Sequence, residues 1–178
     1  RVDYATSDGT AEAPGDYAAL NETGQLVIAA GDSSGIITVD VTNDRIAEDT
    51  ETFTLTLSNP VNAQIYQATG QATIVDNDIA GILITPTSIE ATEGGAIGTY
   101  RISTTSIPEE EVTISFDTGD ELYAIADVTI PADNTALTPQ NVTVRALNDS
   151  DVEGDHTVTI THTATSDDMR YDSDTEDP

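Results

Sequence analysis

The feature that most limits how this chain can fold is a hydrophobic period of two. In "ETFTLTLS", Phe53, Leu55 and Leu57 alternate with Thr52, Thr54, Thr56 and Ser58. A strand sends successive side chains to opposite faces, so this pattern fits a half-buried strand and no helix. "GIITVDVT" repeats it with Ile37, Val39 and Val41, and "HTVTITHT" with Val158 and Ile160. These runs are rich in Thr, Val and Ile, which suit a pleated surface. Gly and Pro break them at "DGTAEAPGD", "AAGDSSG", "SNPVN", "TEGGAIG" and "TSIPEEE", as turns require. Short alternating strands with frequent turns predict an all-β, antiparallel sandwich.

The pattern occurs twice. "TVDVTNDRIAEDTETFTLTLS" (38–58) aligns without gaps on "TVRALNDSDVEGDHTVTITHT" (143–163). Asn148 stands 105 positions after Asn43, and the same offset relates Asp149 to Asp44 and Glu153 to Glu48. Both copies read strand, acidic loop, strand, so two related modules are expected. We place them at 1–78 and 82–178, joined by a linker at 79–81. "GILITPTSIEATEGG" (81–95) opens the second with a strand that has no counterpart in the first. "QATIVDND" (71–78) closes the first, whereas the second trails off in "YDSDTEDP". The first module is therefore expected to lack its N-terminal strand and the second its C-terminal strand, both being truncated from a longer protein.

Charge narrows the function. With 33 acidic and 5 basic residues the net charge is −28. Nucleic acid and anionic membrane surfaces both need basic patches and are disfavoured as partners. No run of about 18 apolar residues suggests a membrane span. There is no cysteine, so disulfides and thiolate metal sites are excluded. Catalytic patterns are equally thin. The two histidines, His156 and His162, fall in one predicted strand; no nucleophile elbow occurs. "EGGAIG" lacks the helix and lysine of a phosphate loop. A glycosidase cleft is expected to be lined by aromatics, which make up only 4% of this chain with no Trp. We expect no enzyme activity.

The acids gather at turns. Asp16 lies in "PGDY", Asp44, Glu48 and Glu51 in "NDRIAEDTE", and Asp76 and Asp78 in "TIVDNDIAG". Loops distant in sequence meet at one end of a sandwich, and five or six converging carboxylates would repel and raise one another's pKa. Ca²⁺ would relieve that repulsion, because it takes six to eight oxygen ligands in flexible geometry. Solvated turns would produce the same clusters, and spacing alone does not choose between the two.

"VDYATSDGTAEAPGDY" (2–17), "NDRIAEDTETFTLTLSNP" (43–60) and "ATIVDND" (72–78), in that order, resemble the Calx-β module. That family includes the calcium-binding regulatory domains of sodium–calcium exchangers and repeats of large extracellular adhesins. The resemblance implies a seven-stranded, immunoglobulin-like sandwich with Ca²⁺ at one end. It implies Asp16, Asn43, Asp44, Glu48, Glu51, Asp76, Asn77 and Asp78 as ligands. The second module resembles the family more loosely. Glu93, Asp149 and Glu153 match family acids there, but His156 stands where Glu51 stood, so a degenerate or absent site is expected.

The resulting expectation is a calcium-binding structural module, secreted or at a cell surface, acting as a calcium-stiffened spacer or adhesion stalk. Its partners would be calcium ions, neighbouring modules of the parent chain and cell-surface or matrix ligands. The alternatives are a regulatory calcium sensor like the exchanger domains and a metal-free acidic spacer.

Overall fold

The computed structural model describes residues 1–21, 24–150 and 154–173. They are all-β apart from one short 3₁₀ turn, Asn134–Leu137. Among them no helix is long and apolar enough to cross a membrane. The chain forms two compact units, residues 1–44 with 48–77, and residues 45–47 with 78–178.

The first unit is built on strands β1 (Val2–Asp8), β2 (Gly24–Leu26), β3 (Glu51–Ser58) and β4 (Thr69–Ile74). They make one antiparallel sheet in the order β2-β1-β3-β4. The alternation read in "ETFTLTLS" is realised as β3, whose Phe53 is buried. Phe53 stacks on Tyr17 with ring centroids 4.2 Å apart. Ala11 completes the buried centre, and Ala13, Val39, Ala72 and Ile74 pack around it.

The predicted strand "GIITVDVT" is absent from every sheet. This stretch makes one isolated bridge, Tyr17 to Val41, flanked by Ala18 N–H to Asp40 O at 2.8 Å and Thr42 N–H to Asp16 O at 2.9 Å. In the second unit the corresponding strand, Gln140–Val144, owes its ladder to Gly98–Thr104; a strand is defined by its partner, and among the described residues 35–42 make no such ladder.

In the second unit, β5 (Ile82–Thr85), β6 (Gly98–Thr104) and β9 (Gln140–Val144) form one sheet. Strands β7 (Val112–Asp117), β8 (Val128–Ile130) and β10 (Thr161–Ser166) form another. Tyr100, Ile102, Val142 and Val144 from the first sheet are buried against Val112, Ile114, Ile130 and Ala164 from the second. This is a two-layer sandwich. "HTVTITHT" is corrected here as well. Pairing with β7 runs from Thr161 to Ser166, and Val158 and Ile160 precede the strand. The cause lies in the partner. Gly119 takes φ 61° and donates its N–H to Asp117 Oδ1 at 3.1 Å, so β7 turns away before it can pair with 156–160.

Sheet β2-β1-β3-β4 of the first unit corresponds to β8-β7-β10 of the second. The counterpart of β4 would begin at residue 174, outside the described residues.

Candidate metal centre

Three elements of the first unit carry acids to one place. The first is the turn ahead of Tyr17. Asp16 N–H bonds to Glu12 O at 3.0 Å, and Glu12 N–H returns to Asp16 Oδ2 at 2.6 Å. The turn is tied to β1 by Asp8, whose Oδ1 accepts from Tyr17 Oη at 2.6 Å and from Ala13 N–H at 3.2 Å. These bonds, the Tyr17 hydroxyl first, hold the Asp8 carboxyl below its usual range. The second element is the start of β3, with Glu48 just before it and Glu51 its first residue. The third is the exit of β4, where Ile74 lies opposite Glu51 and Asp76 follows two residues on. Asp76 Oδ2 accepts the Glu48 N–H at 3.0 Å.

Asp16, Glu48 and Glu51 each place a carboxylate oxygen within 4.8 Å of the others, and all three are half-buried. Glu48 is the centre of the electrostatics. Its pKa is raised from 4.5 to about 7, first by desolvation and then by the charges of Asp16, Asp44, Glu51 and Asp76. The local environment thus opposes the negative charge at Glu48 in the way a cation would relieve. Every donor in the cluster is a carboxylate oxygen, with no imidazole or thiolate. That set suits a hard divalent ion of flexible coordination, and it suits calcium better than zinc or copper.

The other residues expected at this site are placed differently. Asp44 and Asp76 act on Glu48 through their charge. The Asn43 side chain donates to Asp44 O at 3.4 Å and is exposed. Asn77 is exposed. Asp78 is counted with the second unit, so the closing triplet divides after Asn77.

In the second unit, Glu93 lies in the turn that contains Gly94, and a side chain at Gly94 would meet Asn148 Oδ1 at 3.1 Å. Asp149 is exposed, and Glu153 lies outside the described residues. Among the described residues, Asp16, Glu48 and Glu51 are the one group of this kind.

Glu121 is the residue that the motif reading missed. In the second unit Leu122 bridges Ala146, with Tyr123 N–H to Arg145 O at 3.0 Å and Leu147 N–H to Glu121 O at 2.9 Å. Each contact repeats the Tyr17–Val41 arrangement 105 positions later, so Glu121 stands where Asp16 stands. Extending the gapless alignment upstream would have found it. His156 occupies the Glu51 position, and its Nε2 lies 3.7 Å from Glu121 Oε2. A carboxylate pair in one unit has become a histidine–carboxylate pair in the other.

The first unit is thus an all-β module built on one antiparallel sheet, with acidic side chains collected at one end. Residues 1–87 match the Calx-beta domain family. Among solved structures, the calcium binding domain CBD12 of CALX1.1 is 20% identical with a TM-score of 0.41, covering 83% of this chain and 62% of that one. CBD12 from CALX1.2 is 19% identical with a TM-score of 0.38, covering 90% and 66%. This chain therefore spans less than two thirds of the length of either. No curated protein matches.

Proposed function

We propose that the first unit binds Ca²⁺ through Asp16, Glu48 and Glu51, with Asp44 and Asp76 contributing charge, and that its role is structural. The observation that carries this reading is the convergence of those three carboxylates within 4.8 Å, in a segment that matches the Calx-beta domain. The ion would replace repulsion by attraction and tie the Glu12–Asp16 turn to the starts and ends of β3 and β4. Because the unfolded chain lacks the assembled cluster, binding would stabilise the fold by mass action. In the parent protein such a module would serve as a calcium-stiffened extracellular spacer or adhesion stalk. Affinities of ~10⁻⁴–10⁻³ M are typical of extracellular calcium modules, and a site of that strength fills outside cells.

The test is thermal melting of the whole chain in calcium and in chelator, paired with a calorimetric titration. The expected result is a higher midpoint for the first unit in millimolar calcium and a near-millimolar dissociation constant. Micromolar binding would instead favour a regulatory sensor, and an unchanged midpoint would leave the acids as solubilising charge.

A further inference from the structure

The positions that carry Asp16 and Glu51 in the first unit carry Glu121 and His156 in the second, and the change of donor type has a chemical consequence. Glu121 is fixed through its backbone. Leu147 N–H bonds its carbonyl at 2.9 Å, and the Leu122–Ala146 bridge follows directly. His156 is fixed through its ring, whose Nδ1 lies 3.0 Å from Gly154 O. A carbonyl oxygen can only accept, so Nδ1 carries a proton, and in the neutral ring Nε2 keeps its lone pair. Nε2 lies 3.7 Å from Glu121 Oε2. That separation is too long for a hydrogen bond. It is, however, the span of two ligands on one cation, each about 2.0–2.2 Å from the metal. The side chains are 44% and 43% exposed, so an ion can reach both without disturbing the core.

We propose that His156 Nε2 and Glu121 Oε2 together bind a divalent cation of the zinc, copper and nickel class. Imidazole nitrogen suits these ions, whereas calcium takes oxygen ligands. The bond from Nδ1 to Gly154 O is the kind of outer contact that fixes the tautomer of a ligating histidine. The remaining coordination positions are open to water, so binding is weaker than at a site of four protein ligands. The repeat has thus changed the class of metal this end of the unit selects, from the hard ions suited to three carboxylates to borderline ones. The inference rests on the second unit alone and holds whether or not the first unit binds calcium.

The probe is Zn²⁺ alone, titrated into the whole chain with calcium in large excess to occupy sites made only of carboxylates. The buffer is held at about pH 8, above the ordinary imidazole range. Nitrogen resonances of the two histidine rings are followed. Zinc is expected to shift His156 Nε2, to leave His156 Nδ1 protonated and to leave the His162 ring unchanged. By calorimetry in the same buffer, His156→Gln and Glu121→Gln are each expected to weaken zinc binding at least fivefold. No zinc binding over the calcium background would overturn the proposal and leave the two residues as an ion pair only. So would a response at His156 Nδ1 or at His162 in place of His156 Nε2, or full affinity retained by either variant.

Discussion

Replacing Glu48 by Gln separates two effects that a metal site combines. In calcium-free protein the Glu48 carboxyl titrates near 7 instead of 4.5, because burial and the neighbouring acids oppose its charge. A folded-state pKa above the unfolded value means that the folded form holds more protons between those two pH values. Calcium-free stability should therefore be greatest below about 4.5 with respect to this group and fall as pH rises to about 7. A full conversion gives about 3 kcal/mol, which solvent screening at this half-buried position reduces to about 1–2 kcal/mol. Glu48→Gln removes the charge and keeps the shape. In chelator at pH 8 it should raise the first unit's midpoint by roughly 5–10 °C and flatten the pH slope. In calcium the order should invert, since the variant gives up a carboxylate ligand. Melting by circular dichroism at pH 5, 6.5 and 8, with calcium or chelator, measures all of this. If the variant in chelator is no more stable at pH 8 and keeps the wild-type slope, Glu48 is not held among repelling charges and the electrostatic argument is wrong.

Phe53→Ala should unfold the first unit or cost it about 3–5 kcal/mol, since Phe53 and its stacked partner Tyr17 form most of a small buried centre; denaturant titration reads the loss. In the second unit His162 contacts Tyr100 Oη through Nε2 at 2.9 Å, and desolvation lowers its pKa below 6.5. The unfolded form then binds the proton more readily, so the second unit should lose stability as pH falls from 6.5 through the folded-state value; His162→Gln should flatten that part of the melting profile. Arg170→Met should destabilise the second unit by about 3–5 kcal/mol. It removes the guanidinium that bonds Asp168 Oδ1 at 2.8 Å and leaves that buried carboxylate with the backbone N–H groups of Glu109 at 3.0 Å and of residue 170 at 3.2 Å; chemical denaturation checks the size.

What the sequence made legible was whatever local pattern and chain order control. The alternation in 51–58 became β3, and the gapless repeat of 38–58 reappears as matching bridges at Tyr17–Val41 and Leu122–Ala146. Two strands of equally clear alternation did not form as read. Residues 36–42 have the right side chains, but among the described residues no strand pairs with them in a sheet. Residues 156–160 have a partner strand that Gly119 turns aside. Alternation says which face of a strand would be buried, and it is silent on whether a neighbour will be there to pair.

The acidic end follows the same logic. Asp16, Glu48 and Glu51 meet because the antiparallel order β1-β3-β4 returns the start of β3 to the end of β4, and the 9–17 turn folds back through Tyr17. The second unit keeps the bridge that positions this turn, yet it carries Glu121 and His156 where the first carries Asp16 and Glu51. Two carboxylates at such a distance repel each other, whereas a histidine beside a carboxylate adds no second negative charge. A single exchange at the Glu51 position is thus enough to change what the end of a sandwich demands of its surroundings, while the backbone bonds that build it stay the same.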